Sequence, residues 1–318
     1  MLFAPPEIFV FVPSYNHAPF IERCLQSIIK QTRRPTKLLV IDDGSSDNSP
    51  RVIEKILATC PFPSELIARE NRGLCATLNE GFAGSANHKY FAYLGSDDVW
   101  LPNFLENRVQ LMETKPEATL AFGNAFLIDD QDRILEDSTN WGAYKYANHR
   151  EMLLRGFAPI SSTVFYRRTK LEKVRWNENA RLEDYEFYLK LAPLGEFVFD
   201  PRIDAAWREH GYNTSRDTPM MLREVIAAQN RNASLFAVDK NTLEKAQREV
   251  KFFYAEILAR RGWKKDAVRL TLENWRGANS SVSLVKMLGR VLLPNSVLQW
   301  RARRKTKAAA QKYSAIQI

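Results

Sequence analysis

The sequence is short of cysteine, which limits the classes of protein it can encode. Its 318 residues include three cysteines, Cys24, Cys60 and Cys75, scattered along the chain. Disulfide-stabilised domains and structural zinc sites need more cysteines at closer, more regular spacing. We therefore expect a protein of a reducing, cytoplasmic compartment that depends neither on disulfides nor on cysteine-bound zinc.

Long hydrophobic segments are also lacking. No run of about 18 apolar residues occurs, so a membrane-spanning helix is not expected. The first apolar run, "IFVFV", is too short for a secretory signal, and no basic residue precedes it. With 45% hydrophobic and 26% charged residues, the composition is that of a globular protein of one large domain or two domains.

Charge is distributed unevenly along the chain. The overall net charge is +9. Residues 240–318 contain 18 Lys and Arg against 5 Asp and Glu, whereas residues 1–239 contain 28 against 32. The basic character therefore belongs to the last quarter of the chain, and its function must be sought there.

The first part of the chain alternates between strand-like and helix-like patterns. Apolar runs of strand length are followed by segments with apolar residues at helical spacing, such as Ile21, Leu25 and Ile28. This alternation predicts βαβ units and a largely parallel sheet. Strands are predicted at residues 7–13, 37–43, 65–69, 90–94 and 118–123, and helices at 21–31, 47–58, 73–86 and 103–115.

The second part of the chain is mainly helical. After about residue 125 the pattern loosens into loops and short strands, with one clear helix at 182–195. From about residue 220 it is helical throughout, and a glycine turn within 249–275 indicates a helical hairpin. The predicted organisation is an α/β domain at 1–220 followed by an all-helical region at 221–318.

Two pairs of adjacent acids follow predicted strands. Asp42 and Asp43 end the second strand, and Asp97 and Asp98 follow the fourth. Ligands of open α/β sheets bind beyond the carboxyl ends of strands. Carboxylates there, together with substrate phosphates, can hold Mg²⁺ or Mn²⁺. A metal and diphosphate site at Asp97 and Asp98 is therefore predicted, although an isolated pair of this kind is more often a solvated turn.

Two residues near the same edge have two interpretations each. Asp43 could accept hydrogen bonds from a nucleotide base or ribose, or its side chain could close a turn. Tyr15, which follows the first strand, could stack on a base or lie in the core.

Four segments together resemble a known family. They are "VPSYNHAPFIERCLQSIIKQT", "LLVIDDGSSDNS", "ENRGLCATLNEGF" and "YFAYLGSDDVWLP". Their order and spacing resemble those of inverting family-two glycosyltransferases. The resemblance covers residues 7–125 strongly and continues weakly to about residue 215. It implies a GT-A fold, with a Rossmann-like, mostly parallel central sheet flanked by helices.

The resemblance also implies roles in binding a nucleotide-sugar donor. Pro13, Tyr15 and Asp43 are expected to contact the base, which is usually uracil in this family. Asp98 is expected to bind Mn²⁺ or Mg²⁺, and Asp97 to lie near the ribose or diphosphate. Three further donor-pocket candidates match the family less sharply: Asn71, Gly73 and Asn79.

The catalytic base is expected at the start of the helix in "ARLEDYEFYLKL". This segment contains Glu183 and Asp184, and the resemblance indicates Asp184 as the base. For direct displacement at the anomeric carbon, a carboxylate must take the proton of the acceptor hydroxyl. The alternative is an acidic first turn that only complements the helix dipole.

The segment "WREHGYNTSR" supplies the remaining candidates. In the resembled family this region often folds over the diphosphate, so His210 is a candidate metal ligand; alternatively it is a structural histidine. Arg208 and Arg216 either contact phosphate oxygens or are solvated surface residues. His17 has no such context in the sequence.

The basic tail contains apolar residues beside a cationic cluster. Leu292, Leu298 and Trp300 are close to the cations Arg301, Arg303, Arg304, Lys305 and Lys307. This pattern is typical of a helix that lies on an anionic membrane. The alternatives are a disordered terminus or a face packed on another subunit, for example in a homo-oligomer. No nucleic-acid-binding motif is present, so nucleic acid is not an expected partner.

Together with these observations, the resemblance implies an inverting, metal-dependent glycosyltransferase. The donor would be a nucleotide-diphosphate sugar, with UDP expected, and the acceptor a hydroxyl of a glycan or lipid-linked glycan of the cell surface. The enzyme would be cytoplasmic and peripheral on the inner face of the membrane. One alternative is a non-catalytic nucleotide-sugar-binding subunit. The other is a sugar nucleotidyltransferase, which "VPSYNHAPF" argues against because it lacks a glycine-rich phosphate loop.

Overall fold

The computed structural model of the protein describes residues 6–141, 148–211, 213–313, 316 and 318. Side chains are described for these residues except at positions 299, 302, 303, 305, 307 and 310. The predicted cationic cluster of the tail therefore lies partly outside the described residues, because it includes Arg303, Lys305 and Lys307.

Within the described ranges, the elements follow the expected order of alternating strands and helices and then helices alone. The strands are β1 (Ile8–Ser14), β2 (Lys37–Asp42), β3 (Ser64–Ala68), β4 (Tyr90–Tyr93), β5 (Val99–Trp100), β6 (Leu120–Ile128), β7 (Ile134–Asp137), β8 (Phe165–Arg167) and β9 (Phe197–Arg208). The helices are α1 (Ile21–Ile29), α2 (Ser49–Leu57), α3 (Leu74–Ala83), α4 (Phe104–Glu113), α5 (His149–Arg155), α6 (Glu183–Leu191), α7 (Thr218–Asn232), α8 (Lys240–Arg260), α9 (Lys264–Asn274), α10 (Ser281–Leu292) and α11 (Asn295–Lys312).

The described chain divides into two compact units. The first contains the residues up to 141 and 158–209, and the second contains 148–157 and 210–316. The sequence analysis places the boundary at residue 220. The structure instead assigns residues 148–157 and 210–220 to the second unit. The first unit contains the whole sheet, and the second is built from α5 and α7 to α11.

The strands of the first unit form one sheet in the order β3-β2-β1-β4-β8-β6-β9-β5, with β7 paired to β6. Strands β3, β2, β1 and β4 are parallel, as predicted. The other half is mixed, because β8 is antiparallel to β4 and β6, while β6 and β9 are parallel. The α/β fold class is confirmed, and every residue of β1 is buried, as expected for a strand covered on both faces.

Strand β9 has 12 residues and was not predicted from the sequence. Its middle, "DPRID", contains charged residues and a proline, which argue against a central strand. In the structure Arg108 of α4, which is 0% exposed, donates to Asp200 at 2.8 Å and to Asp204 at 3.4 Å. The β6–β9 register shifts on both sides of Asn124, where Pro201 and Arg202, and then Asp204, bulge out of the ladder. Buried ion pairs and the bulge therefore allow this sequence to form a strand.

The second unit contains the predicted helical hairpin. Helices α8 and α9 are joined at Gly262, whose φ of 83° suits a residue without a Cβ atom. Its core includes Phe252, Leu258, Ala267 and Met287, which come from α8, α9 and α10. Among the described helices, none has the length and hydropathy needed to cross a bilayer.

Candidate functional site

The candidate site lies at the carboxyl edge of the parallel half of the sheet. Strand β1 pairs with β2 on one side and with β4 on the other. Their ends therefore bring together the turn after β1, the acids that end β2 and the acids that follow β4. This is the edge at which open α/β sheets bind ligands.

Asp42 and its neighbours form a closed turn. Its carboxylate accepts hydrogen bonds from the backbone N–H of Ser45 at 2.8 Å and from the hydroxyls of Ser45 and Ser14 at 2.7 and 3.1 Å. The side chain is 1% exposed. Asp42 therefore fixes the loop between β2 and α2 to the end of β1.

Asp43 holds the loop that leads into α3. Its carboxylate accepts from the backbone N–H groups of Arg72 and Gly73, both at 2.9 Å, and from the guanidinium of Arg69. The Asn71 side-chain amide donates to the Asp43 carbonyl at 2.8 Å. A carboxylate offers about four acceptor positions, so protein donors take about three of them here. Base contact by Asp43 stays a prediction, and so do the donor-pocket roles of Asn71 and Gly73.

The turn after β1 exposes Tyr15. Pro13 is buried within β1, whereas Tyr15 is 49% exposed. The interpretation of Tyr15 as a core residue is therefore wrong. Asn16, with a φ of 53°, accepts from the backbone N–H of Ser46 at 2.8 Å and so ties this turn to the β2–α2 loop. Base stacking by Tyr15 and base contact by Pro13 stay predictions.

Asn79 of α3 has protein partners for its amide. It donates to the carbonyl of Trp176 at 3.0 Å and accepts from the Trp176 backbone N–H at 2.9 Å. These bonds anchor the segment that precedes α6. A role for Asn79 in donor binding stays a prediction.

The acids after β4 lie beside one another in buried surroundings. A Cβ atom at Gly95 would lie 2.9 Å from Asp97 Oδ1 and 3.3 Å from Asp98 Oδ2, so both carboxylates border the same small space. Asp98 is 4% exposed and accepts from the backbone N–H of Arg208 at 2.9 Å. Burial, followed by the charge of Asp97, raises the pKa of Asp98 well above its usual range. The solvated-turn interpretation is therefore wrong for Asp98.

His17 lies at this site and was missed from the sequence. Its Nδ1 is 2.7 Å from the Ser96 hydroxyl and 4.0 Å from Asp97 Oδ1. His17 follows β1 and the acids follow β4, so only the adjacency of these two strands brings them together. The sequence pattern predicts the strands but does not specify that β1 and β4 are neighbours. Knowledge of that adjacency would have identified His17.

These donors fit a divalent cation. Carboxylate oxygens are the ligands that Mg²⁺ and Mn²⁺ prefer, and imidazole suits transition metals. Both carboxylates border the space beside Gly95, and a cation there would offset the burial and the charge of Asp97, which raise the pKa of Asp98. Asp97 thus has a second carboxylate, Asp98, on the same small space and the His17 imidazole 4.0 Å away, and donors of these kinds suit Mn²⁺.

Arg208 is buried, so its interpretation as a solvated residue is wrong. It is 1% exposed, and its guanidinium donates to the carbonyls of Asp97 at 2.7 Å and Asp129 at 2.6 Å. Its hydrogen bonds hold protein groups, which is a role distinct from the phosphate contact considered from the sequence.

His210 and Arg216 belong to the second unit. His210 is 5% exposed, and its backbone N–H donates to the Asn213 side chain. Arg216 is exposed, and its Nη1 lies 3.5 Å from the His210 carbonyl. Metal ligation by His210 and phosphate contact by Arg216 stay predictions.

Glu183 and Asp184 start α6, as predicted. Burial raises the pKa of Asp184 to about 6. Burial, followed by the charge of Asp184, raises the pKa of Glu183 to about 8. Acids that only complement a helix dipole would have lowered pKa values, because the dipole favours their charged form. Raised pKa values are typical of functional carboxyl groups, and the role of Asp184 as the base stays a prediction.

A family comparison agrees with the sequence motifs. The family model described as glycosyl transferase family 2 matches residues 9–175, which is more than half of the chain. The chain belongs to glycosyl transferase family 2. The resemblance drawn from the sequence motifs is thereby confirmed.

Several curated proteins are similar to this family-two chain. An uncharacterized glycosyltransferase of Nostoc sp. is 31% identical over 172 residues, which cover 53% of each chain. The chondroitin synthase of Escherichia coli is 28% identical over 66% of this chain and 30% of its own length. The hyaluronan synthase of Pasteurella multocida is 27% identical over 66% of this chain and 21% of its own. The chain thus spans about half or less of the length of these relatives.

Solved glycosyltransferase structures share the fold. A mannosyltransferase from Pyrobaculum calidifontis, in complex with GDP-Man and Mn²⁺, covers 98% of this chain and 87% of its own, with a TM-score of 0.64 and 17% identity. S. aureus TarS in complex with UDP-GlcNAc covers 95% and 89%, with a TM-score of 0.60 and 16% identity. The GT-A fold class of the family-two chain is confirmed.

Proposed function

We propose that the protein is an inverting, metal-dependent glycosyltransferase that transfers a sugar from a nucleotide-diphosphate donor to a hydroxyl of a glycan. The observation that carries the proposal is the pair of acids beside Gly95, the buried Asp98 and the partly buried Asp97, in a chain that belongs to glycosyl transferase family 2. A buried carboxylate with a second acid beside it, at a ligand-binding sheet edge, is costly unless a cation compensates the charge.

The acidic pair would hold Mn²⁺ or Mg²⁺, with Asp98 as the main ligand. When bound, the cation supplies stabilisation of the negative charge that develops on the leaving diphosphate. The protein's part is to fix the two carboxylates before the donor arrives. Arg208 does this for Asp98 through its backbone N–H, and Ser96 orients His17 toward Asp97.

Asp184 would act as the general base. It takes the proton of the acceptor hydroxyl as that oxygen attacks the anomeric carbon, and the bond to the diphosphate breaks on the opposite face. A pKa of about 6 leaves Asp184 charged at neutral pH and still basic enough to take a proton. Glu183, with a pKa of about 8, is mostly protonated at neutral pH, so the pair carries about one negative charge.

The donor class is supported by the comparisons. One similar structure holds GDP-Man with Mn²⁺ and another holds UDP-GlcNAc. Relatives that the chain matches over 66% of its length are chondroitin and hyaluronan synthases. We expect a UDP-sugar donor and an acceptor on a surface glycan or lipid-linked glycan.

We also propose that the second unit binds an anionic membrane surface on the cytoplasmic side. Helix α10 exposes Val285, Leu288 and Leu292 by 66%, 52% and 82%. Lys286 lies beside this apolar stripe and is exposed, and residues 240–318 carry a large cationic excess. Exposed apolar residues flanked by cations suit the boundary between headgroups and acyl chains. A homo-oligomeric contact is the competing use of the same stripe.

The test of the proposed activity is calorimetric titration with UDP, dTDP and GDP, each with and without Mn²⁺. We expect one nucleotide to bind only when the metal is present, and Asp98→Ala to abolish that binding because the metal loses its main ligand. Unchanged nucleotide affinity of Asp98→Ala in Mn²⁺ would remove Asp98 from the metal site. If no nucleotide binds the native protein, or if a bound sugar nucleotide is never turned over, the non-catalytic alternative is favoured.

A further inference from the structure

A buried arginine connects the acidic pair with a turn on another part of the sheet. Arg208 is the last residue of β9, and its backbone and side chain serve different partners. Its backbone N–H donates to Asp98 Oδ1 at 2.9 Å, and its Nε donates to the Asp97 carbonyl at 2.7 Å. Arg208 thus bonds to both acids of the candidate metal site: its main chain donates to the Asp98 carboxylate, and its side chain donates to the Asp97 carbonyl.

The same guanidinium reaches the turn between β6 and β7. Its Nη1 donates to the Asp129 carbonyl at 2.6 Å, and its Nη2 donates to the carboxylate of Asp132. The guanidinium also lies over the Phe20 ring, 5.0 Å from the ring centroid. These contacts fix the position of the guanidinium.

The turn that carries Asp132 is itself well ordered by hydrogen bonds. The Asp129 carboxylate accepts from the backbone N–H groups of Gln131 and Arg133 at 2.9 and 3.0 Å. Asp132 has a φ of 61°, a conformation that Asp and Asn adopt more readily than other side chains. Arg23 of α1 approaches Asp132 Oδ2 at 3.5 Å. The side chain of Asp132 is therefore held in place, although it is 35% exposed.

The charges along this path alternate in sign. The acidic pair is followed by the Arg208 guanidinium, then by the Asp132 carboxylate and then by Arg23. A divalent cation at the acidic pair would be repelled by a neighbouring guanidinium whose charge was not balanced. Because Arg208 is buried, solvent screens this repulsion only weakly, and Asp132 is the carboxylate that pairs with its outer end.

We propose that Arg208 and Asp132 are positioning residues for the metal site: Arg208 sets the geometry of Asp97 and Asp98, and Asp132 balances the charge of Arg208 so that a divalent cation can bind. The inference rests on the proposed function, since it assumes a metal at the acidic pair. It assigns a role in donor binding to the β6–β7 turn. No residue of this turn belongs to the sequence motifs or to the expected metal ligands.

The test is calorimetric measurement of Mn²⁺-dependent nucleotide binding by Asp132→Asn. Asn tolerates the positive φ at this position, so the variant is expected to fold with an unchanged melting temperature. We expect its apparent affinity for Mn²⁺ to fall about fivefold, because the Arg208 charge is then less balanced. Asp130→Asn, which makes the same charge change at an exposed position of the same turn, is the matched control and should bind Mn²⁺ as the native protein does.

Three outcomes separate the inference from the function on which it rests. A weaker Mn²⁺ affinity in Asp132→Asn, with native affinity in Asp130→Asn, supports the inference. Equal affinities in the native protein and Asp132→Asn overturn it while leaving the metal site intact. Absence of metal-dependent binding in the native protein overturns the proposed metal site itself.

Discussion

At the scale of single residues, the candidate site contains carboxyl groups whose surroundings disfavour their charge. Asp98 and Asp184 both have raised pKa values because they are buried, but they are placed for different tasks. Asp98 lies at the end of a parallel strand beside a second acid, where a cation can compensate it. Asp184 begins a helix and shares its site with Glu183, which is protonated first as the pH falls. Surroundings therefore distinguish a metal ligand from a base, although both are aspartates.

This difference predicts how transfer depends on pH. Because Asp184 must be unprotonated to accept a proton, and burial places its pKa at about 6, kcat/KM should fall about tenfold per pH unit below pH 6 and level off above it. Asp184→Asn should lower kcat by about 10²- to 10⁴-fold and abolish the fall of kcat/KM below pH 6. The measurement is a pH–rate profile with a UDP-sugar donor.

Metal-dependent nucleotide titration of Asp184→Asn is the control, since the donor site should be intact in that variant. A variant that keeps native kcat, or a native profile that stays flat between pH 5 and 7, would show that Asp184 is not the base.

At the scale of elements, the parallel half of the sheet could be predicted and the mixed half could not. β1 and β2 are continuous apolar runs followed by turn residues, and this local pattern is sufficient to predict a buried strand. β9 contains "DPRID", and its strand conformation depends on Arg108, about ninety residues earlier in the chain. The acids of the site were identified from their position after strands, whereas His17 and Arg208 join it only through strand adjacency. Long-range pairing is therefore the part that local sequence patterns did not specify.

The ion pairs of β9 should be costly to break. Arg108→Met removes the buried cation shared by Asp200 and Asp204, and among the described residues it leaves Asp204 without an ion-pair partner and Asp200 with only the half-exposed Arg202. We expect the free energy of unfolding to fall by about 3–5 kcal/mol, the usual cost of removing one partner of a buried pair. Urea denaturation measures this.

The matched control is Arg155→Met, which breaks an exposed ion pair with Glu151 and should cost about 1 kcal/mol or less. If both variants lose the same small amount, the interpretation of β9 as a strand stabilised by buried ion pairs is wrong.

At the scale of the whole molecule, net positive charge and exposed large apolar side chains are concentrated in the second unit. The first unit contains the candidate chemistry and most of the acidic residues. The second unit exposes Leu272 by 71% and Trp275 by 54%, besides the stripe on α10. The sequence predicted the helices and the basic character of this region, but it could not specify which helix faces remain uncovered, because that depends on how the helices pack.

Membrane binding can be tested by removing α11. Deleting residues 294–318 should weaken binding to anionic vesicles, because several cations are lost, while Mn²⁺-dependent nucleotide binding is retained. Leu288→Asp in the full chain should also weaken vesicle binding, since it places a charge in the apolar stripe of α10.

Vesicle flotation is the measurement, with uncharged phosphatidylcholine vesicles as the reference. Native binding by both variants would contradict the membrane proposal. A change in oligomeric state of Leu288→Asp, with no effect on vesicles, would assign the stripe to contacts between copies of the chain.

The bond from the Arg208 backbone to Asp98 joins residues 110 positions apart. During synthesis, the first four strands can pair soon after they leave the ribosome, since they are close in sequence. The acidic pair, however, is not fixed until Arg208 has also emerged and β9 has entered the sheet. A nascent chain therefore lacks the Arg208 bonds to its two acids while about 110 further codons are translated. Premature termination before codon 208 would leave a product that contains both acids but lacks the hydrogen bonds from Arg208 to them.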